Sequence, residues 1–285
     1  MSKPKKPIIA IMYDFDKTLS TKDMQEYGFI PSLGLTANKF WKETNALAKE
    51  EKMDSTLAYL RMMLKKASEK GVSVTRDNFV ALGKDIEYYP GVEEWFSRID
   101  QYGKENGVII EHYVISSGLK EIIEGSSIFK KFKMVYACEF LYDENKVAVW
   151  PKLAVNYTNK TQFLFRINKG VLDVNEDEKL NEFVKEDDRR IPFRNMIYIG
   201  DGLTDVPCMK LVKINKGQSI AVFKKRKKDV AAKLMAEDRV DFITEANYCE
   251  GGELDQIVKT IIAKMATVDK LVRLHSKHKR SIEKD

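Results

Sequence analysis

Asp14 and Asp16, one residue apart in the stretch Tyr13-Asp-Phe-Asp-Lys-Thr18, close an unbroken apolar run and put two carboxylates where a buried segment ends. Three other polar sites stand at comparable points. They are Ser116-Ser117-Gly118 after a second apolar run, Lys160 at the start of a helical stretch, and Gly200-Asp201-Gly-Leu-Thr-Asp205 after a later run. Taken singly, each has an ordinary structural reading: turns and caps for the first two acids and the serines, a glycine-bearing loop for GDGLTD, a solvated side chain for Lys160. Taken together they suit one task. Carboxylates gathered without neutralising charge repel one another, so Asp14, Asp16, Asp201 and Asp205 could converge only at high cost unless a cation sat among them. An all-oxygen donor set selects a hard divalent ion, and Mg2+ held by a few carboxylates, waters and a substrate phosphate is its usual form. Lys160 would add a second positive charge, and the Ser116 hydroxyl with backbone N–H groups near Ser117 and Gly118 can hold phosphate oxygens. Such a site screens an anionic nucleophile from an anionic substrate.

The elements that must position these groups are short strands. Ile8 to Tyr13, Tyr113 to Ser116, Met196 to Gly200 and Ser219 to Phe223 are brief, β-prone and followed by polar or glycine-bearing turns. Helix-like stretches separate them, such as Val92 to Asn106 with Trp95, Phe96 and Ile99 at helical spacing. The expected fold is α/β, a doubly wound parallel sheet whose ligands gather beyond the carboxyl ends of the strands. Residues 21–89 differ in character, being rich in helix formers, with Phe40, Thr44 and Leu47 on one helical face and Leu57, Leu60, Leu64 and Ala67 on another. Thr36, Asp54 and Thr75 suit helix N-caps there, and Tyr89-Pro90-Gly91 suits the exit. An all-helical domain over 21–89, inserted into a core of residues 1–20 and 90–285, is therefore expected. Met134 to Leu141 and Val147 to Trp150 read as a β-hairpin beside the sheet, and the charged stretch Asn168 to Arg190 as an exposed helix or loop.

In order and element type, Asp14-Phe-Asp16-Lys-Thr18, Val114-Ile-Ser116, Lys160 and Gly200-Asp201-Gly-Leu-Thr-Asp205 resemble the four motifs of the haloacid dehalogenase-like hydrolase superfamily, and the helical insertion is similar in position to the cap of its phosphoserine-phosphatase-like branch. That resemblance implies a phosphatase acting on a small phosphomonoester, with Asp14 as nucleophile forming an aspartyl-phosphate and Asp16 as general acid and then base. It implies Mg2+ bound by Asp14, the main-chain carbonyl of Asp16 and Asp201, with Asp205 as a ligand or a support. Lys160 and Ser116, with Ser117 and Gly118, would hold the phosphoryl group, Lys152 being a nearby competitor for the lysine role. Asp16 argues against carbon–halogen chemistry, while phosphomutases or phosphotransferases of the same superfamily remain an alternative. Asp23, Gln25, Glu26 and Arg61 are residues of the insertion that could face substrate, though each equally suits a solvated helix.

Composition agrees with an enzyme of this kind. With 44% hydrophobic and 32% charged residues the chain can fill a core and is not disordered. Its apolar runs are far shorter than the roughly 20 residues that span a bilayer, and the start MSKPKKP lacks an apolar signal core. A cytoplasmic protein with no membrane partner is expected. Cys138, Cys208 and Cys249 lack metal-ligand spacing and read as reduced thiols. His112, His275 and His278 are too far apart to suggest a metal site. The net charge of +6 is modest and concentrated in Lys224 to Lys228 and in the tail around Lys277 to Arg280. Without interleaved aromatics, these runs weigh against nucleic-acid binding and suit a solvated, anion-tolerant surface.

Overall fold

The computed structural model describes residues 6–282, apart from the side chains of Asp187 and Arg280. Residues 1–5 and 283–285 of the expected core, with most of the basic start, lie outside them. Seven strands form one sheet: β1 Ile8–Tyr13, β2 Ile109–Leu119, β3 Met134–Tyr142, β4 Ala148–Leu153, β5 Met196–Gly200, β6 Gln218–Phe223 and β7 Phe242–Glu245. Their order is β4-β3-β2-β1-β5-β6-β7, every neighbouring pair being parallel except β3 with β4. β1 is central and almost wholly buried, which is why it reads as a continuous apolar run rather than an alternating one.

From β1 the chain winds outward first to β2 and β3, then returns across the sheet to β5, β6 and β7. The winding therefore reverses between β1 and β5, and a crevice opens beyond their carboxyl ends. Register brings both neighbours level there, since Tyr13 pairs with Val114 on β2 and with Ile199 on β5. The residues just past those pairs, Asp14, Ser116 and Asp201, consequently meet at one edge.

Between β1 and α5 (Val92–Glu105) the regular elements are helical: α1 Phe29–Ser32, α2 Ala37–Glu50, α3 Ser55–Lys70, α4 Arg76–Ala81 and short 3-10 turns. Thr36, Asp54 and Thr75 cap α2, α3 and α4 through side-chain oxygens that accept backbone N–H groups. Entry and exit run side by side. Thr21 N–H donates to the Glu87 carbonyl at 2.9 Å and Tyr89 N–H to the Leu19 carbonyl at 3.0 Å, flanking a β-bridge from Ser20 to Tyr88. Gly91, at φ 78°, then turns the chain into α5.

Some elements differ from expectation. β2 extends through Ser116-Ser-Gly to Leu119, with a register irregularity against β3 between Ile115 and Leu119. The β3–β4 hairpin forms, but β3 is also a parallel strand of the main sheet. Leu57 is 39% exposed, whereas Leu60 and Ala67 of the same helix are buried. The remaining helices are α6 Lys120–Glu124, α7 Lys160–Lys169, α8 Asp177–Asn181, α9 Val206–Ile214, α10 Asp229–Ala236 and α11 Glu253–Ile282. α11 buries Leu254, Val258, Ile261, Ile262 and Met265, then leaves Leu271, Leu274 and Ile282 exposed. Among the described residues, no helix is long and apolar enough to cross a membrane.

At α4 and α6 the helical segment meets the core backbone against backbone. A Cβ on Gly125, just after α6, would overlap the carbonyl oxygen of Val80 on α4, and one on Gly83 would overlap the carbonyl of Ile122. Backbone cannot swing aside as a flexible side chain can, so Gly125→Ala must push α4 and α6 apart. The expected loss is about 1–3 kcal/mol of unfolding free energy, read from urea denaturation. An unchanged midpoint would show that this seam is not tightly packed.

Candidate active site

Asp14 follows β1, with its N–H donating to the Ile199 carbonyl of β5 at 2.9 Å, so the nucleophile candidate is pinned across the topological switch point. One carboxylate oxygen accepts the Phe15 N–H at 2.8 Å and lies 3.2 Å from the Lys160 Nζ. The next turn is tight. Lys17 sits in the left-handed region at φ 57°, and the N–H groups of Thr18, Leu19 and Ser20 all converge on the Phe15 carbonyl. That turn aims Asp16 back over the edge of the sheet, where its carboxylate accepts the Met24 N–H at 2.9 Å.

Lys160 begins α7 and is fully buried. Its ammonium stands between Asp14, at 3.2 Å, and Asp205, at 2.8 Å. Lys152 is elsewhere, 54% exposed and paired with Glu139 at 2.9 Å. Asp205 is fully buried too. One of its oxygens accepts Lys160 and the Tyr198 hydroxyl, each at 2.8 Å, and the other accepts the Gly202 N–H at 3.3 Å. With both oxygens engaged, Asp205 reads as the residue that positions Lys160 and the 200–202 loop. Gly200 makes this packing possible, because a Cβ there would stand 2.5 Å from the Asp205 carboxylate. On the β2 side, Ser116 Oγ accepts the Gly118 N–H at 3.0 Å, and the Ser117 carbonyl accepts the Tyr59 hydroxyl of α3 at 2.6 Å. Gly118 has no room for a side chain beside Met24 and the Asp16 carboxylate.

Asp14, Asp201 and Asp205 each offer a carboxylate oxygen within 4.8 Å of the others, and the Asp16 carboxylate stands apart from this trio. Burial pushes Asp14 up to about 6, against the pull of Lys160. Asp16 is held well above the ordinary carboxylate range by burial and by the charges of Asp23 and Asp14. Asp201 is raised in the same way by burial, Asp205 and Asp14. Burial alone would lower Lys160, but Asp14 and Asp205 outweigh it and keep the ammonium firmly protonated. The site is thus short of positive charge by its own electrostatics, and its donors are all oxygen, which fits a hard divalent cation.

Asp14, Asp16, Ser116, Ser117, Gly118 and Asp201 open into one cavity of about 380 Å3, whose far wall is helical. Of the insertion residues considered from sequence, Asp23 and Gln25 line it. Glu26 stands behind, accepting the Trp41 indole N–H at 2.9 Å, and Arg61 lines a separate apolar groove with Leu57 and Trp150. Lys224 and Lys227 of the basic run line a neighbouring cleft that shares Lys17 and Asp201 with the site. Tyr198, Trp41, Thr44 and Tyr59 were not anticipated, since nothing in a strand or helix pattern marks which side chains will reach a strand end. His112 is buried and bonded to the Tyr13 hydroxyl at 2.9 Å, a packing role. The three cysteines are free.

A doubly wound sheet with buried acids, a lysine and a serine at its switch point defines an α/β enzyme of the kind that handles anionic substrates. The chain matches the haloacid dehalogenase-like hydrolase family over residues 11–210, and it belongs to that family. It is 33% identical over 275 residues to an uncharacterized protein of Borreliella burgdorferi, covering 87% of this chain and 94% of that one. Among solved structures it resembles a HAD family hydrolase of Salmonella enterica serovar Typhi, with a TM-score of 0.56, 19% identity and coverage of 91% of this chain and 73% of the other. It also resembles a phosphoserine phosphatase solved as a phospho-aspartyl intermediate analogue, with a TM-score of 0.54, 18% identity and coverage of 90% and 99%. At these identities the two structures share the fold.

Replacing Lys160 by Met leaves Asp14 and Asp205, both buried, facing each other without the ammonium between them. In chelator, the expected cost is about 3–5 kcal/mol, largest above pH 6, where Asp14 is ionised, and smaller below it. Lys152→Met should cost less than about 1 kcal/mol. Urea denaturation of both variants at pH 5 and pH 8 checks this, and equal effects at the two positions would refute it.

Proposed function

We propose that the protein is a Mg2+-dependent phosphatase that hydrolyses a small phosphomonoester through an aspartyl-phosphate on Asp14. The observation that carries this reading is the Asp14–Lys160–Asp205 chain, which holds one oxygen of Asp14 and, among the described residues, leaves its other oxygen without a side-chain partner at the cavity floor. That free carboxylate oxygen attacks phosphorus. As the bond to the leaving oxygen breaks, Asp16 delivers its proton to the alkoxide, a task suited to a carboxyl that burial keeps protonated. Asp16, now ionised, takes a proton from water, whose oxygen attacks the phosphorus of the acyl phosphate, releasing phosphate and restoring Asp14. Ser116 Oγ, the backbone N–H groups after it and the Lys160 ammonium would hold the phosphoryl oxygens.

Asp14, Asp201 and the main-chain carbonyl of Asp16 would hold Mg2+, with Asp205 positioning Lys160 beside them. When bound, the ion offsets the repulsion between carboxylate and phosphate. Residues 21–89 would act as a cap on a core of residues 1–20 and 90–285, hinged at the paired strands around Ser20 and Tyr88. A cavity of about 380 Å3 suits a small phosphorylated metabolite.

Asp14→Asn should lower Mg2+-dependent phosphate release roughly a thousandfold or more, measured by continuous phosphate assay. A variant with wild-type turnover would sink the mechanism, and phosphate passed to a second substrate rather than to water would point to a mutase. Mg2+ binding itself should depend on pH. The ion takes the ionised carboxylates, and the raised pKa of Asp14 means that protons compete for it below about 6. Affinity is therefore expected to be full near pH 8 and to weaken as pH falls through 6, with proton release seen by calorimetry in two buffers. An affinity unchanged between pH 5 and 8 would contradict it.

A further inference from the structure

The helical wall of the cavity holds two polar atoms whose burial nothing in the protein accounts for. Gln25 and Thr44 are each 2% exposed, and both line the cavity that contains Asp14, Asp16 and Ser116. Among the described residues, the Gln25 side-chain oxygen and the Thr44 hydroxyl have no hydrogen-bond partner. A buried polar atom left unpaired is costly, and two in one cavity wall are accounted for when a ligand supplies the partners. Their placement favours the leaving group over the phosphate. Gln25 directly follows Met24, whose N–H is held by the Asp16 carboxylate, so it adjoins the group that protonates the leaving oxygen.

Apart from Asp23, the rest of that wall is neutral. Trp41 and Tyr59 form an edge-on pair with centroids 6.1 Å apart. Their polar tips are engaged, the indole N–H with Glu26 and the hydroxyl with the Ser117 carbonyl, so their apolar ring surface is what remains for a ligand. The charged residues lining the cavity are Asp14, Asp16, Asp23, Asp201 and Lys17, and Lys17 is paired with Asp23 at 2.5 Å. A leaving group bearing a carboxylate would enter an acid-lined space with its one lining cation already engaged. A neutral one with hydroxyls can donate to Gln25, exchange a hydrogen bond with Thr44 and rest its C–H surface on the rings.

Building on the phosphatase reading, we propose that Gln25 and Thr44 form a subsite for an uncharged, polyhydroxylated leaving group, so that the substrate class is a polyol or sugar phosphate rather than a phosphorylated amino acid. The test uses the full chain with Mg2+ and measures kcat and KM for glycerol 3-phosphate, a hexose phosphate, O-phosphoserine, phosphoethanolamine and 4-nitrophenyl phosphate. At least one of the polyol or sugar phosphates should exceed O-phosphoserine and phosphoethanolamine by about tenfold or more in kcat/KM. Thr44→Val and Gln25→Leu should lower kcat/KM for that substrate, mainly through KM, about three- to tenfold more than for 4-nitrophenyl phosphate. Thr44→Ser, which keeps the hydroxyl, should restore the preference and controls for folding. If O-phosphoserine or phosphoethanolamine is preferred, or the variants slow all substrates equally, the subsite is wrong while the phosphatase reading stands. If the wild-type protein releases no phosphate even from 4-nitrophenyl phosphate, the phosphatase reading fails and the subsite with it.

Discussion

Repulsion among buried carboxylates is the constraint around which this molecule is arranged. Asp14, Asp201 and Asp205 share one small volume at the end of the sheet, and the positive charge buried with them is Lys160. Lys160 is there because α7 starts at that point, and it is aimed by Asp205, whose accepting oxygen is itself held by the Tyr198 hydroxyl. The network pairs one oxygen of Asp14 and leaves Asp14 and Asp201 still raised toward protonation. A site with this surplus of carboxylate fits a hard cation, which is the physical basis of the chemistry proposed for it.

The helical segment is tied to the same floor by contacts that begin at catalytic candidates. Met24 N–H binds the Asp16 carboxylate, and the Leu119 N–H points to the Met24 sulfur at 3.1 Å. Tyr59 reaches the Ser117 carbonyl. The seating of the helices against the cavity therefore sets where Asp16 and the 116–118 loop stand. A single β-bridge between Ser20 and Tyr88 and a glycine-lined seam at α4 and α6 join the segment to the rest of the chain.

Much of this was legible along the chain. The four apolar runs are strands because fully buried parallel strands need no polar face, and three caps were readable because Thr36, Asp54 and Thr75 each precede a helical pattern. β7 is only four residues long and has no distinctive pattern, so it escaped notice. Leu57 is exposed although Leu60 is buried, because helical periodicity says which residues share a face, not whether a neighbour covers it. The competition between Lys160 and Lys152 is of the same kind, since two lysines eight positions apart are equivalent until the fold buries one and exposes the other.

By itself the sequence determined the residue types, their order and the ends of the strands that carry them, because burial, capping and turn chemistry are local. What only the tertiary structure decided is which of those residues meet. Asp205 supports Lys160 and the adjoining loop through both of its oxygens, Glu26 lies behind Trp41, and Gln25 and Thr44 turn unpaired into the cavity. Those outcomes depend on strand register and on how one helical layer seats against another, distances set by packing between segments far apart in the chain.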